Sequence, residues 1–293
     1  MKVKGFFQEI RAKRRIRLSR SPAGDAFLIL VLAVFGAFMI LPMVYTIVTA
    51  FKPINELFLF PPKFFVRHPT LENFSQMIAL TTEMYVPFSR YLFNSLVVTG
   101  GGTAVYVIIA SLAAYPIAKF DFRFLRVFQT IVVWAILFRG EVTSIPQYIV
   151  ISKLGLLNTY LAVIFPVLAS TFGVFLMIQF IHDFPDSILE AAYIDGAGHF
   201  QTYWRVVMPS IRPAWLTLII FTFQSYWNAT GIQYIYDESM KMLPTVLSQI
   251  TTGGMARAGA SAAVALVLMI PPIAIFVAAQ ASVMETMAKS GMK

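Results

Sequence analysis

Long, uninterrupted apolar segments are the feature that most restricts how this chain folds. They lie at about residues 26–50, 92–117, 127–141, 159–181, 214–234 and 260–284. A helix needs about 20 apolar residues to cross the hydrocarbon core of a bilayer, where only helices and closed barrels satisfy their own backbone polar groups. We therefore predict an all-α integral membrane protein with six transmembrane helices, of which the third is short.

The composition and the charge distribution agree with a membrane class. The 293-residue chain is 58% hydrophobic and only 13% charged, against roughly a quarter charged in soluble domains. The net charge of +9 does not indicate a nucleic-acid partner, because eight of the 23 Lys and Arg residues lie before residue 21. A basic tail of this kind is typical of a topology signal.

The distribution of Lys and Arg also predicts the orientation. With the N-terminus inside, fifteen of the 23 basic residues fall in inner segments and eight fall in outer loops. The positive-inside rule then places both termini in the cytoplasm. We divide the chain into a basic cytoplasmic tail (1–25), the first transmembrane helix (26–50), an extracytoplasmic loop (51–91), a five-helix core (92–284) and a cytoplasmic C-terminal tail (285–293).

Several kinds of chemistry find no support in the sequence. No Lys, Arg, His, Asp or Glu lies near the middle of the six spans, although proton- and sodium-coupled carriers usually hold charged groups there. No phosphate-binding loop of the Walker type is found, and the three His residues show no metal-ligand spacing. We expect neither catalytic residues nor a metal site, and hence a protein that is not an enzyme.

A polar stretch at residues 182–212 separates two of the apolar spans and predicts a small helical hairpin. Pro185 suits the start of a helix, because its missing N–H is one that a helix start leaves unpaired. Residues 190–192 (Glu-Ala-Ala) favour continuation of that helix, and Gly196 interrupts it. The second limb carries side chains spaced to share one face: Phe200, Tyr203, Trp204 and Val207.

The spacing within this hairpin resembles a known signature. Glu190-Ala191-Ala192 is followed after three residues by Gly196, and after nine more by Val206-Val207-Met208-Pro209. This is similar to the loop E-A-A-x3-G-x9-I-x-L-P of permease subunits of binding-protein-dependent ABC importers. The chain resembles most the second, smaller permease of the carbohydrate branch, as in maltose transporters. The segments that carry this likeness are Asn94-Ser95-Leu96, Ala113-Ala114-Tyr115, Ile145-Pro146, Gly155-Leu156-Leu157-Asn158-Thr159, Ile194-Asp195-Gly196-Ala197, Trp227-Asn228 and Leu243-Pro244.

The resemblance implies a type I ABC importer architecture in a bacterial plasma (inner) membrane. A second homologous permease would complete the pore, and two ATP-binding subunits would hold ATP and Mg, so this chain would need no cofactor of its own. An extracytoplasmic solute-binding protein would deliver a sugar or oligosaccharide. Two alternatives remain open: the same machinery for a polyamine, phosphonate or amino acid, and a stand-alone secondary carrier.

The resemblance also assigns the residues that would couple this chain to the ATPase. Gly196 would supply the bend, Glu190 a polar contact, and Phe200, Tyr203 and Trp204 a face buried against the partner. The full set is Glu190, Ala191, Ala192, Asp195, Gly196, Ala197, Phe200, Tyr203, Trp204 and Pro209. Tyr193 stands where the family usually has Arg, which removes one expected contact with that partner.

Four residues near the end of the fifth span are candidates for lining the substrate pathway: Gln224, Tyr226, Trp227 and Asn228. Sugars favour aromatic faces combined with amide hydrogen bonds. The alternative is that these polar and aromatic side chains join neighbouring helices, as polar residues in membrane spans often do.

Overall fold

The computed structural model describes residues 22–138 and 140–290, and every regular element in them is helical. The helices are α1 (Pro22–Ala50), α2 (Ile54–Leu57), α3 (Glu72–Glu83), α4 (Phe88–Lys119), α5 (Arg123–Ile136), α6 (Gly140–Lys153), α7 (Tyr160–Leu168), α8 (Thr171–His182), α9 (Asp186–Ile194), α10 (His199–Thr202), α11 (Met208–Ser210), α12 (Arg212–Trp227), α13 (Leu243–Thr251) and α14 (Ala258–Ser290). Most of the predicted basic tail, residues 1–21, and the last residues, 291–293, lie outside this description.

Three helical stretches in the described residues are long and apolar enough to cross a membrane, at residues 23–50, 88–119 and 254–280. Two bent pairs also qualify if each is taken as one span. In the first, α7 meets α8 at 44°, and in the second the stretch His199–Ser210 meets α12 at 79°. The structure thus offers up to five spans, close to the predicted first, second, fourth, fifth and sixth segments.

The predicted third span, 127–141, overlaps α5 only at residues 127–136 and is wrong at its C-terminal boundary. Helix α5 has 14 residues, which gives a length of about 21 Å against the roughly 30 Å of a hydrocarbon core. A further helix, α6, begins at Gly140. The number of six spans therefore stays a prediction.

The predicted fifth span, 214–234, is wrong at its C-terminal boundary. Helix α12 ends at Trp227, and the chain then turns. Gly231 has φ +62°, and a Cβ at this position would meet the side chains of Met242 and Val163. A left-handed residue at this packed position is not compatible with a helix that continues to residue 234, as hydropathy alone predicts.

Helix α4 runs through the whole interior of the fold. It contributes to each of the three buried apolar clusters, with Tyr91 in one, Val98 in the next and Tyr115 in the third. Its most extensive packing partners are α8 and α12. This central position makes α4 the helix against which the predicted hairpin is held.

The segment between α1 and α4 is compact, because buried polar side chains hold its backbone. The Asn73 amide donates to the carbonyls of Ala50 at 2.9 Å and Lys52 at 2.7 Å, beyond the end of α1. The Glu56 carboxylate accepts from the backbone N–H groups of Arg67 and His68, each at 3.0 Å. The bond from Arg67 is the main reason that the pKa of Glu56 lies below its ordinary 4.5.

Candidate functional site: the hairpin between α8 and α12

The first limb of the hairpin is α9, which begins directly after Pro185. Pro185 takes extended backbone angles, φ −62° and ψ 128°, and its missing N–H costs nothing at a helix start. Asp186 lies in the first turn, where a carboxylate favours the positive end of the helix dipole. The local structure of this limb therefore agrees with the sequence prediction.

The bend between the limbs is a Schellman turn, which explains the glycine in the signature. Gly196 has φ +83°, a value that glycine adopts without strain. Its N–H donates to the Tyr193 carbonyl at 3.0 Å, and the Ala197 N–H donates to the Ala192 carbonyl at 3.0 Å. These are the two hydrogen bonds of the motif, and they fix the direction in which the second limb leaves.

The second limb combines α10, a π-helical turn at Tyr203–Val207, and α11. Tyr203 and Val207 are buried at 1% and 0% exposure, whereas Phe200 and Trp204 are 71% and 52% exposed. The predicted single face of Phe200, Tyr203, Trp204 and Val207 is therefore wrong for Tyr203 and Val207. The wider turn and the packing of the limb on α4 place these two side chains inside the chain.

Tyr203 is held by α4. Its ring lies 5.4 Å from the ring of Tyr115, centroid to centroid, and its hydroxyl shares a 2.7 Å hydrogen bond with Ser111. The first limb is held by the same helix, because the Lys119 ammonium group donates to Asp186 at 2.7 Å. A Tyr193 hydroxyl in the first limb lies 3.1 Å from the Tyr115 hydroxyl.

The remaining predicted coupling residues form the outer surface of the hairpin. Glu190, Ala191, Asp195, Gly196, Phe200, Trp204 and Pro209 are exposed, and Ala192 and Ala197 are half-buried. The hairpin thus has two sides, a buried one fastened to the helices and an exposed one with two large aromatic side chains and two carboxylates. Such an exposed aromatic pair on a rigid base is suited to a partner protein.

The four pathway candidates divide into two groups. Tyr226 and Trp227 are both 1% exposed, and each donates to a backbone carbonyl of another helix: Tyr226 to Ile164 at 2.9 Å and Trp227 to Leu268 at 2.8 Å. These two side chains therefore join neighbouring helices, which was the alternative interpretation, and they do not line an open pathway. Gln224 and Asn228 are exposed.

Two cavities lie along α12, and the smaller one includes Gln224 in its lining. One of about 240 Å³, between α12 and α14, is bordered by Gln224 and Pro272. A larger one of about 880 Å³ is lined by residues of α4, α12, α14 and the second limb, among them Gly100, Trp204 and Arg212. The larger cavity therefore reaches from the middle of the helices to the hairpin.

Sequence reasoning did not identify a second polar network, at the end of α4 away from the hairpin. The Asn94 amide donates to the carbonyls of Ser239 at 2.9 Å and Lys241 at 2.8 Å, and it accepts from the Tyr160 hydroxyl at 2.7 Å. The Ser95 hydroxyl accepts from the Leu243 N–H at 2.8 Å. The segments Asn94-Ser95-Leu96 and Leu243-Pro244 both belong to the family resemblance. Their occurrence together in one sequence could have indicated that they contact each other.

Glu238 is the acidic member of this network. Its carboxylate accepts from the Tyr91 hydroxyl at 2.8 Å, from the Lys241 ammonium group and from the Gln249 amide at 3.3 Å. Burial on its own would raise the pKa of Glu238, but these hydrogen bonds hold it below its ordinary 4.5. Among residues 22–138 and 140–290, no group of His, Asp and Glu is placed to hold a metal ion.

The sequence matches one protein family over most of its length and is similar to several known transport proteins. Residues 20–286 match the family described as binding-protein-dependent transport system inner membrane component. Protein LplC of Bacillus subtilis is 32% identical over 234 residues, which is 78% of this chain and 75% of that protein. The polygalacturonan/rhamnogalacturonan transport system permease protein YtcP of Bacillus subtilis is 30% identical over 225 residues, covering 75% of each chain. The sn-glycerol-3-phosphate transport system permease protein UgpE of Yersinia enterocolitica is 32% identical and covers 64% of this chain and 69% of its own length.

A solved structure shares the fold. A chain of the bacterial ABC transporter involved in import of the acidic polysaccharide alginate superposes with a TM-score of 0.75 at 20% sequence identity. The match covers 90% of this chain and 99% of that one. With the family match across nearly all the described residues, the type I importer fold is established, and the chain belongs to the family of inner membrane components of binding-protein-dependent transport systems.

Proposed function

We propose that this chain is one of two permease subunits in an ATP-driven importer of a sugar or oligosaccharide. In this role it forms half of the translocation pore with a second, homologous permease. Two separate ATP-binding subunits bind ATP and Mg and carry out hydrolysis. The protein lies in the bacterial inner membrane with both termini in the cytoplasm, and an extracytoplasmic binding protein delivers the cargo.

The observation that carries this proposal is the two-sided hairpin. Its exposed side presents Glu190, Phe200 and Trp204, while its inner side is fastened to α4 through Tyr203 and Lys119. A partner that binds the exposed side therefore pulls on the transmembrane helices. Rigid-body movement of this kind is a common way for ATP binding to switch a bistable assembly.

The cargo class rests on the relatives. A relative at 30% identity is the permease of a polygalacturonan/rhamnogalacturonan transport system, which supports a sugar or oligosaccharide. A second candidate, a small phosphorylated polyol, is favoured by the sn-glycerol-3-phosphate permease among the relatives.

The test is mass spectrometry of what co-purifies with the tagged chain from gently solubilised native membranes. We expect a second permease and an ATP-binding subunit. Glu190→Lys should release the ATP-binding subunit and keep the second permease, whereas Glu83→Lys, an exposed acid at the end of α3, should keep both. Recovery of the wild-type chain alone, or only as a homo-oligomer, would favour the stand-alone carrier instead.

The cargo is then identified from the binding protein encoded or purified with the complex. Calorimetric titration with oligosaccharides should show binding, and the same titration with sn-glycerol-3-phosphate should show none. The reverse result would select the phosphorylated polyol.

A further inference from the structure

Helix α4 is hydrogen-bonded to other segments at both of its ends. At the hairpin end, Ser111, Tyr115 and Lys119 are spaced by four residues and so lie on one face of the helix. Their hairpin partners are Tyr203 at 2.7 Å, Tyr193 at 3.1 Å and Asp186 at 2.7 Å, respectively. One face of α4 therefore forms hydrogen bonds with both limbs of the hairpin.

On the α4 side, the groups that make these contacts are buried. Ser111 and Tyr115 are 0% and 5% exposed, and the Lys119 side chain is 6% exposed. Lys119 also donates to the Phe184 carbonyl at 2.5 Å, between α8 and α9, where a cation favours the negative end of α8. The hydrogen bond between Ser111 and Tyr203 is buried. Breaking it would leave buried polar groups unpaired, so the hairpin and α4 should move together.

At the opposite end, α4 is hydrogen-bonded to the segment 237–243, which leads into the first residue of α13. The α4 residues here are Tyr91, Asn94 and Ser95, with exposures of 0%, 0% and 1%. Their partners are the Glu238 carboxylate at 2.8 Å, the carbonyls of Ser239 at 2.9 Å and Lys241 at 2.8 Å, and the Leu243 N–H at 2.8 Å. This end of α4 is therefore also joined to another segment by hydrogen bonds.

Between the two ends α4 is unbroken. Its 32 residues give a length of about 48 Å, and about 36 Å separates Tyr91 from Tyr115 along the axis. The helices that are joined to the hairpin through the backbone, α8 and α12, follow less direct paths to the opposite end of the fold. Helix α8 meets α7 at a 44° bend, and α12 leaves the second limb at 79° and ends at Trp227, ahead of the segment 237–243.

We propose that α4 transmits displacement of the hairpin to the segment 237–243 on the opposite side of the membrane. Ser111, Tyr115 and Lys119 are positioning residues at one end, and Tyr91, Asn94 and Ser95 are positioning residues at the other. The proposal rests on the importer function proposed above. Because coupling between two sites is reciprocal, the same helix carries the signal of an arriving binding protein back to the ATPases.

The test uses the complete importer in proteoliposomes and measures ATP hydrolysis with and without its cognate binding protein, purified with its natural cargo bound. The inner variant is Ser111→Ala with Tyr115→Phe, and the outer variant is Tyr91→Phe with Ser95→Ala. All four changes remove one oxygen and keep the shape of the side chain. The matched control, Tyr45→Phe with Ser75→Ala, removes the same atoms from exposed positions in α1 and α3.

Each variant should lower the stimulation of hydrolysis several-fold, while unstimulated hydrolysis and subunit composition stay at wild-type values. When the inner and outer variants are combined, the stimulation should be no lower than in the more impaired of the two. If the two ends acted independently, the fold loss of the combined variant would instead be the product of the two separate fold losses. Multiplying losses, or unchanged stimulation in both variants, would overturn the transmission role.

Failure of the importer function itself gives a different result, because the wild-type complex would then show no stimulation at all. If a double variant does not assemble, Tyr115→Phe and Tyr91→Phe, singly and combined, provide the same comparison. The control variant should show wild-type stimulation in every case.

Discussion

At the scale of single residues, the hairpin separates side chains that hold the fold from side chains that are free to meet a partner. Tyr203 and Phe200 are three positions apart, yet the first is 1% exposed and the second 71%. Gly196 and Gly198 are two positions apart, yet only Gly196 needs a left-handed backbone. These neighbouring pairs allow matched experiments.

Replacement of Gly196 should be more harmful than replacement of Gly198. A Cβ has open space at both positions, but Gly196 has φ +83° and Gly198 has φ −73°. Gly196→Ala should cost about 1–2 kcal/mol and weaken ATPase binding, Gly196→Asn should cost less, and Gly198→Ala should change little. Thermal unfolding in detergent measures the stability, and equal effects of the two alanines would contradict the Schellman turn as the reason for the glycine.

Phe200→Ala and Tyr203→Ala should fail in different ways. Loss of the buried Tyr203 ring should destabilise the chain by about 3–5 kcal/mol, whereas loss of the exposed Phe200 ring should change stability by about 0.5 kcal/mol or less. Phe200→Ala should instead reduce the amount of ATP-binding subunit that co-purifies. The finding that Phe200→Ala unfolds the chain but leaves the partner bound would reverse the assignment of the two faces.

At the scale of elements, close helix packing depends on a few small residues. A Cβ on Gly102 of α4 would come within 2.6–3.0 Å of the Tyr226 ring of α12, whereas a Cβ on Gly101 would meet nothing within 4 Å. Of the three consecutive glycines Gly100, Gly101 and Gly102, only Gly102 is therefore placed where another helix packs closely. The buried Tyr226 thus acts as a spacer between two long helices.

Gly102→Ala should therefore separate α4 from α12. Overpacking of this kind costs about 1–3 kcal/mol, and Gly101→Ala should stay within about 0.5 kcal/mol of the wild type. Thermal unfolding of the two purified variants measures the difference. A Gly102→Ala, Tyr226→Phe double variant should be no better than Gly102→Ala alone, because the added methyl group meets the ring and not only the hydroxyl.

The network around Glu238 should make stability fall in acid. The folded-state pKa of Glu238 is held below 4.5 by its hydrogen bonds, so its contribution is present above the unfolded-state pKa and is lost as the pH falls through the folded-state pKa. Thermal unfolding between about pH 7 and pH 3 should show this loss. Glu238→Gln should reduce the slope without abolishing it, because the pKa values of Glu56 and Asp237 are lowered as well.

At the scale of the whole molecule, the fold places two polar assemblies at opposite ends of α4. One contains the hairpin around Gly196, and the other contains the segment 237–243. A single unbroken helix joins them. The orientation of this axis in the membrane is a prediction from the charge distribution.

Single-cysteine labelling tests that orientation directly, because the chain contains no cysteine. In intact cells, a membrane-impermeant thiol reagent should label Glu83→Cys, in the exposed end of α3, and should not label Asp195→Cys until the cells are opened. Both sites are exposed, so accessibility within the chain is matched. Labelling of Asp195→Cys in intact cells would place the hairpin outside and contradict the proposed contact with ATPases.

Local structure was largely readable from the sequence. The apolar runs predicted the long helices, because lipid excludes unpaired backbone groups. Pro185 and Gly196 predicted the start and end of the first limb, since each is suited to its position by its own backbone preference. The exact ends of α5 and α12 were not predictable, because hydropathy does not record where a packed turn stops a helix.

What only the tertiary structure decided is which side of each element faces the interior. Tyr203 turns inward because Ser111 and Tyr115 of a helix far away in sequence receive it, and Tyr226 and Trp227 are buried because two other helices accept their hydrogen bonds. The sequence alone determined the membrane class, the hairpin and the family resemblance, since these depend on hydropathy and local spacing. Burial and the two polar ends of α4 depend on contacts between distant segments, and those exist only once the helices have packed.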